Sequence, residues 1–195
     1  NETEWIFLTD TEISPPPASD LKNCKYVTLS NEPSGNVIQQ IIDQSEGSLI
    51  VFTDTRVQNK GPWLKQHREA HRMMDFPIAL SGTRYVEPKV DADPFMKFWL
   101  EQPSCIAQNL HQRNSEPLCI ETFPSNWSIT KESLNSIQGF SSDLGNGCEF
   151  IDVVRRLIRN GVSPLTSGTI QSGIDSYFSF TDVLEEYRQF SKFTP

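Results

Sequence analysis

Short apolar runs alternate with amphipathic segments along the first half of this chain, and this alternation restricts the fold more than any other feature. Three runs, "EWIFLTD" (4–10), "KYVTLS" (25–30) and "SLIVFTD" (48–54), are too short for buried helices and predict strands. A turn-rich segment with three prolines separates the first two runs, and helical segments follow the second and the third, as crossovers between parallel strands require. The order therefore predicts an α/β protein with a mostly parallel sheet that helices cover on both faces.

Two segments in this half have the apolar spacing of helices. In "NVIQQIIDQSEG" (36–47), four aliphatic residues recur on one face, and Gly47 provides a stop. The segment "GPWLKQHREAHRMM" (61–74) has a proline near its start and an apolar stripe. A further strand is predicted in "FPIALSGTRYV" (76–86).

The second half of the chain gives three further predictions. "CIETFPSNWSITKESL" (119–134) predicts a strand, a turn and the start of a helix with Thr130 or Ser128 as its N-cap. "GFSSDLGNGCEFIDVVRRLIRNGVSPL" (139–165) predicts a Gly-rich loop, a helix closed by Asn160 and Gly161, and another strand. "FTDVLEEYRQFSKF" (180–193) predicts a terminal amphipathic helix.

Composition excludes some classes of function. The net charge of −8 argues against nucleic acid as a partner, because neutralising phosphates requires a basic face. No run approaches the roughly 18 apolar residues of a membrane span. The four cysteines are widely spaced, which favours reduced thiols over disulfides. We expect a cytoplasmic domain, either alone or as part of a larger or membrane-associated protein.

Two strand ends resemble the donor side of the GT-A fold of nucleotide-sugar glycosyltransferases, in particular the inverting family 2. "IFLTD" is similar to the family strand whose acid contacts the nucleotide, a place held here by Asp10. "GSLIVFTDTRVQNKGPWL" resembles the family's strand, DxD motif and Trp-Leu helix. The resemblance implies that Asp54 holds a divalent cation, Mn²⁺ or Mg²⁺, against the donor diphosphate, and that Arg56 also faces the donor.

Two later segments resemble the acceptor side of the same family. "NWSITKESLNSIQGF" is similar to the acceptor-side segment, with Asn126 and Trp127 at its start. "GNGCEFIDVVRRLIRNG" resembles the family's Gly-Glu-Asp loop, helix, Arg-Leu pair and closing glycine. In inverting members an acid of this loop is the general base that deprotonates the acceptor hydroxyl.

The resemblance implies a GT-A-like, Rossmann-like fold in which the family's first strand has no counterpart before "EWIFLTD". It implies one domain over residues 1–195, with a nucleotide-binding half (4–90), an acceptor-side half (91–165) and a C-terminal helical appendage (166–195). The implied partners are a nucleotide sugar and a glycan or other hydroxyl acceptor. The implied activity is hexosyl transfer with inversion.

The sequence departs from the family pattern at two positions. Arg56 occupies the last DxD position, where it is either a surface residue or a guanidinium that replaces the cation in a metal-independent site. Phe150 occupies the position of the loop's Asp. Glu149 or Asp152 would then serve as the base, although acids in a first helical turn are also explained by the helix dipole.

These departures leave a second hypothesis open, a catalytically inactive GT-A-like module that binds or scaffolds. A third, an unrelated nucleotide-binding α/β domain, is disfavoured because no Gly-rich phosphate loop is found.

His67 and His71 are four residues apart in the helix predicted over 61–74. They have the spacing of two zinc ligands on one face, but no third ligand is evident and the helix is otherwise charged. We therefore expect them to lie on a solvated face.

Overall fold

The structure, a computed structural model, describes residues 3–9, 24–28, 34–53, 57–85, 126–144 and 148–174. The strands in these ranges are β1 (Trp5–Thr9), β2 (Cys24–Thr28), β3 (Leu49–Thr53), β4 (Val57–Asn59), β5 (Ile78–Tyr85), β6 (Asn126–Thr130) and β7 (Ser163–Ile174). The helices are α1 (Ser34–Gln44), α2 (Trp63–Met73), α3 (Lys131–Ser136) and α4 (Cys148–Arg159). Over these ranges, no helix combines the length and apolar character needed to span a membrane.

The strands form two sheets. β1 and β2 form a parallel pair, and the other five strands form a sheet in the order β3-β6-β5-β7-β4. Within this sheet β5 and β7 are parallel, whereas the β3–β6, β6–β5 and β4–β7 pairs are antiparallel. The predicted α/β class is confirmed, but the sheet is mixed instead of mostly parallel. The helical segments signal crossovers, and they do not indicate the direction in which β6 enters the sheet.

Helices cover both faces of the five-stranded sheet. The larger apolar cluster joins residues of α1, α3 and α4 to Ala79, Trp127 and Ile129 of the sheet. Ile78 and Leu80, which flank Ala79 in β5, instead pack with Trp63 and other residues in a smaller cluster under α2. Because successive side chains of a strand point to opposite faces, α2 lies across the sheet from the other three helices.

Two helix ends follow directly from their sequences. Thr130 is the N-cap of α3, where its side chain accepts a hydrogen bond from the backbone N–H of Ser133 at 3.2 Å. After α4, Gly161 has φ 81°, a conformation that glycine adopts without steric cost. Val162 N–H then donates to the Leu157 carbonyl at 3.0 Å, which satisfies an end-of-helix acceptor in a Schellman motif. Both caps were among those that the sequence predicted.

The structure differs from three local predictions. In the 119–134 segment, where a strand, a turn and a helix start were predicted, the residues directly before the helix, "NWSIT", form strand β6. Strand β4 was not predicted, because "VQN" has no apolar run and pairs with β7 only through the tertiary fold. Strand β7 continues to Ile174, so residues 166–174 are part of the sheet. The helix predicted over 180–193 lies outside the described residues.

Candidate functional site

One end of β3 brings together three of the segments that carry the family resemblance. Thr53, the last residue of β3, pairs with Asn126, the first residue of β6. The Phe52 ring lies 5.1 Å from the Trp127 ring and 5.4 Å from the Phe150 ring, measured between centroids. The end of β3, the start of β6 and the first turn of α4 therefore meet at one corner of the sheet, directly before the position of Asp54 in the chain.

Phe150 is a core residue at this corner. Its side chain is 7% exposed, and its ring contacts the Phe140 ring at 5.2 Å and the Trp127 ring at 6.3 Å in nearly perpendicular arrangements. Such edge-to-face contacts stabilise aromatic clusters beyond simple burial of apolar area. The position that carries an acid in the resembled family thus faces the apolar core of this chain.

Glu149, the preceding residue, is a buried carboxylate with one oxygen free. It is 3% exposed, and the Ser34 hydroxyl at the start of α1 donates a hydrogen bond to its Oε1 at 2.7 Å. Its Oε2 is buried and has no hydrogen-bond partner among the described residues. Buried polar atoms normally find a partner, so this oxygen is available to a donor group outside the described set.

Close contact between α1 and the segment before α4 holds this carboxylate in place. Gly35 N–H donates to the Leu144 carbonyl at 3.0 Å. A side chain at Gly35 would collide with the carbonyl oxygens of Ser141 and Leu144 and touch the Glu149 side chain. Glycine therefore permits the approach that lets Ser34 reach Glu149. Sequence reasoning missed Ser34, since no local signal distinguishes it from other serines at helix starts.

Asp152, the other candidate base, is already paired. Its Oδ2 accepts hydrogen bonds from Arg156 Nη2 at 2.6 Å and Arg156 Nε at 2.8 Å. Arg156 also donates through Nη1 to the Ile137 carbonyl at 2.5 Å, which ties α4 to the end of α3. The same carboxylate oxygen thus receives two charge-assisted hydrogen bonds, which hold the pair in a fixed geometry.

Asn126 and Trp127, the predicted acceptor-side residues, are both inside the protein. Asn126 is fully buried, and its Nδ2 donates to the Ile170 carbonyl at 3.4 Å and to Ser172 Oγ at 3.2 Å. Trp127 is 1% exposed and packs in the aromatic corner. Both side chains therefore build the corner from within the sheet.

A polar cluster of three buried side chains and the half-buried His71 lies on the α2 face of β6, and we name it the histidine clamp: His67, His71, Asn126 and Ser128. Ser128 Oγ lies 2.8 Å from His67 Nδ1 and 2.9 Å from His71 Nε2, and His67 Nε2 lies 2.8 Å from Asn126 Oδ1. His67 is fully buried, so the expectation of a solvated face is wrong.

The sequence contained a signal for this burial. His67 lies on the same helical stripe as Trp63 and Ala70, both of which pack toward the sheet. Burial lowers the pKa of His67. Burial, with a smaller contribution from the neighbouring His67, lowers the pKa of His71 to about 4. Both rings are therefore neutral at pH 7.

The donor-side residues Asp10, Asp54 and Arg56 lie outside the described residues. In the ranges that the structure does describe, no three His, Cys, Asp or Glu side chains are grouped so that they could hold a metal ion. A cation at Asp54, which the resemblance implies, thus stays a prediction. Asp54 directly follows Thr53, the last described residue of β3, in the chain.

Comparison with known proteins finds likeness among solved structures. No protein-family model matches the chain, and no curated protein matches it. A solved structure that matches is glucosyl-3-phosphoglycerate synthase from Mycobacterium tuberculosis in complex with Mn²⁺ and uridine-diphosphate-glucose. It is 12% identical, with a TM-score of 0.49, and the match covers 86% of this chain and 58% of that one, less than two thirds of its length. At this level of similarity, the chemistry of this chain has to be argued from its own residues.

Proposed function

We propose that this chain is a glycosyltransferase-like domain that binds a nucleotide-sugar donor and transfers the sugar to an acceptor hydroxyl with inversion. The observation that supports the proposal is the buried Oε2 of Glu149, which has no hydrogen-bond partner among the described residues, near the end of β3, the strand that directly precedes Asp54 in the chain. A buried carboxylate oxygen without a partner suits a group that must accept a proton from a bound hydroxyl.

Glu149 is the base in this proposal, and Asp152 is a structural residue of α4. The acceptor hydroxyl gives its proton to Glu149 while its oxygen attacks the anomeric carbon of the donor. The bond from that carbon to the diphosphate breaks, and the nucleoside diphosphate leaves from the opposite face. Ser34 positions Glu149 through its hydrogen bond to Oε1, which leaves Oε2 for the acceptor.

On the donor side we propose that Asp10 contacts the nucleotide and that Asp54 and Arg56 face the diphosphate. An Mn²⁺ or Mg²⁺ ion would bind at Asp54 and neutralise the leaving group. In a metal-independent version, the Arg56 guanidinium supplies that charge, since arginine binds phosphate through paired hydrogen bonds. The proposed domain organisation is one domain over 1–195, and Asn126 and Trp127 shape the acceptor side from within the sheet.

A second candidate is a catalytically inactive module that binds the nucleotide sugar or acts as a scaffold. The packing of Phe150 in the aromatic corner favours it, because the acid found there in the resembled family is replaced by a core residue. The enzyme turns over its donor, whereas the inactive module does not, whether it binds the nucleotide sugar or only acts as a scaffold.

One experiment separates these candidates. Thermal unfolding is measured with several nucleoside diphosphates and with uridine-diphosphate-glucose, with and without Mn²⁺, alongside a donor-hydrolysis assay. The enzyme predicts a ligand-induced rise in the unfolding temperature together with turnover. A rise without turnover supports the inactive module, and the absence of both for every donor tested rejects a nucleotide-sugar site.

Two matched variants locate the base. Glu149→Gln keeps the shape of the side chain, so we expect turnover to fall by about 10²-fold or more with ligand binding retained. Asp152→Asn is the control, and we expect turnover within a few-fold of the wild type. The opposite order of effects would assign the base to Asp152. Asp54→Ala tests the donor side, and unchanged nucleotide affinity would contradict its placement there.

A further inference from the structure

The donor and acceptor of each hydrogen bond in the histidine clamp can be assigned in turn, starting from the bond between Asn126 and the Ile170 carbonyl. The Ile170 carbonyl only accepts, so the Asn126 atom 3.4 Å from it must be the donating Nδ2, and Oδ1 must face His67. His67 Nε2, 2.8 Å from Oδ1, therefore carries a hydrogen. In neutral His67, Nδ1 is then the bare acceptor, a tautomer assigned from the network of partners.

The remaining two directions follow in turn. Ser128 lies 2.8 Å from the bare His67 Nδ1, so its hydroxyl hydrogen points to that atom. The Ser128 oxygen can then only accept from His71, whose Nε2 lies 2.9 Å away and must carry a hydrogen. The clamp is a one-way chain from His71 through Ser128 and His67 to Asn126, in which each of these bonds has one donor and one acceptor.

This chain can take up one proton and keep every bond. If His71 gains a hydrogen on Nδ1, the bonds at Ser128 are unchanged. If His67 gains one on Nδ1, the Ser128 hydroxyl turns to His71, which changes tautomer. With both rings charged, two N–H groups point at Ser128, and the hydroxyl hydrogen has no acceptor left within the clamp. A buried donor without an acceptor is costly, and the two charges also repel.

Among the residues that the structure describes, no acid faces the clamp to compensate a second charge. Strands β3, β6 and β7, which pack around the clamp, contain no ionisable residue. In β5 the ionisable residues are Arg84 and Tyr85, whose side chains lie outside the described set. The other ionisable groups of α2 are Lys65, Arg68, Glu69 and Arg72. Glu69 is two residues from either histidine, so it lies on another side of the helix, where its carboxylate is 3.7 Å from Lys65 Nζ.

We propose that the histidine clamp is an acid-sensitive device that holds α2 on the sheet, accepts one proton with its bonds intact, and is broken by the second. This property is independent of the transferase activity proposed above. The clamp holds the start of β6, which pairs with the end of β3. Acid would therefore loosen α2 close to the corner of the sheet where β3 ends.

The sign of the pH effect follows from the lowered pKa values. His71 has a pKa of about 4 in the folded protein against 6.5 for the free side chain. The unfolded chain therefore binds its proton first as the pH falls, and stability is lost between about pH 6.5 and pH 4. Above that window the histidine contribution is fully present.

The test combines thermal unfolding with NMR of the histidine rings. Between pH 6.5 and 5 we expect the wild-type unfolding temperature to fall by about 4 °C or more. In His71→Gln the amide nitrogen can still donate to Ser128 but does not titrate, so we expect less than half of that fall. His111→Gln, which replaces the third histidine of the chain, is the control, and its unfolding temperature should fall as much as that of the wild type.

Two measurements on the wild type keep the proposal testable if a variant fails to fold. At pH 7.5, nitrogen shifts should show both clamp rings neutral with hydrogen on Nε2. At pH 5, amide exchange protection should fall in α2 relative to α4, because opening of α2 lets both rings take up protons near the free-side-chain pKa of 6.5. Equal pH dependence in His71→Gln and wild type, a hydrogen on Nδ1 at pH 7.5, or parallel loss of protection in both helices would overturn it.

Discussion

The two faces of β6 are equally buried but are held in different ways. Residues 126–129 are at most 1% exposed, with Trp127 and Ile129 in the apolar cluster and Asn126 and Ser128 in the histidine clamp. On the apolar face, contacts are numerous and individually weak, so their loss is graded. On the clamp face each bond satisfies a named donor and acceptor, so one loss leaves specific buried atoms unpaired.

This difference bears on how the candidate site is built. The apolar face carries Phe150, which follows Glu149 in the chain, and the clamp face carries α2, whose first residue, Trp63, comes shortly after the 54–60 segment. The strand between them links the proposed base to the proposed donor side. We thus expect a substitution on either face to affect the corner of the sheet, through lost packing on the apolar face and through lost hydrogen bonds on the clamp face.

Phe150→Asp would challenge the apolar face most strongly, because it restores the acid of the resembled family inside an aromatic cluster. Losing the Phe ring and burying a carboxyl together should lower the free energy of unfolding by more than about 4 kcal/mol. Denaturant unfolding measures this loss, with Phe150→Leu as the milder control. A variant with near wild-type stability would show that the position is not part of the core.

Asn126→Ala and Ser128→Ala test the clamp face. Each should cost about 1–3 kcal/mol for every buried partner that it leaves unpaired. Because each substitution removes one of the hydrogen bonds of His67, the double variant should lose less stability than the sum of the two single losses. Ile129→Val on the opposite face is the control, with an expected cost of about 0.5–1.5 kcal/mol. Simple additivity between the two clamp variants would mean that they do not share a network.

Thr130→Ala probes the end of β6, where the strand passes into α3 and neither face dominates. Removing the N-cap oxygen should cost about 1 kcal/mol. Thr130→Ser retains the oxygen and should restore most of the stability. If both variants lost the same amount, the threonine methyl group rather than the cap would be responsible.

Periodicity predicted the elements whose character is local. Helices α1, α2 and α4 have apolar spacing and end signals in or next to their own sequences, and β1, β3 and the start of β5 are short apolar runs. Over 119–134 the sequence predicted a strand, a turn and a helix start, and it did not indicate that residues 126–130 form strand β6. Its partners in the histidine clamp, His67 and His71, lie about 60 residues earlier, and no local pattern joins them.

The candidate site, like the fold, could be predicted from the sequence only in part. The loop motif indicated Glu149 and Asp152 as alternatives for the base. Only the fold distinguishes them, because Ser34 contacts Glu149 and Arg156 pairs with Asp152. Phe150 was recognised as a departure from the family pattern. Its role in the core emerges from the rings that surround it.

Gly82 in β5 lies directly beneath the Asn126 amide, and a side chain there would collide with that amide and with the Ile170 carbonyl. The amide of one strand thus fills the volume that a side chain of its neighbour would occupy. The two positions form a complementary pair across a range of 44 residues in the numbering. In related sequences we expect them to covary, with a larger residue at position 82 accompanied by a smaller one at position 126.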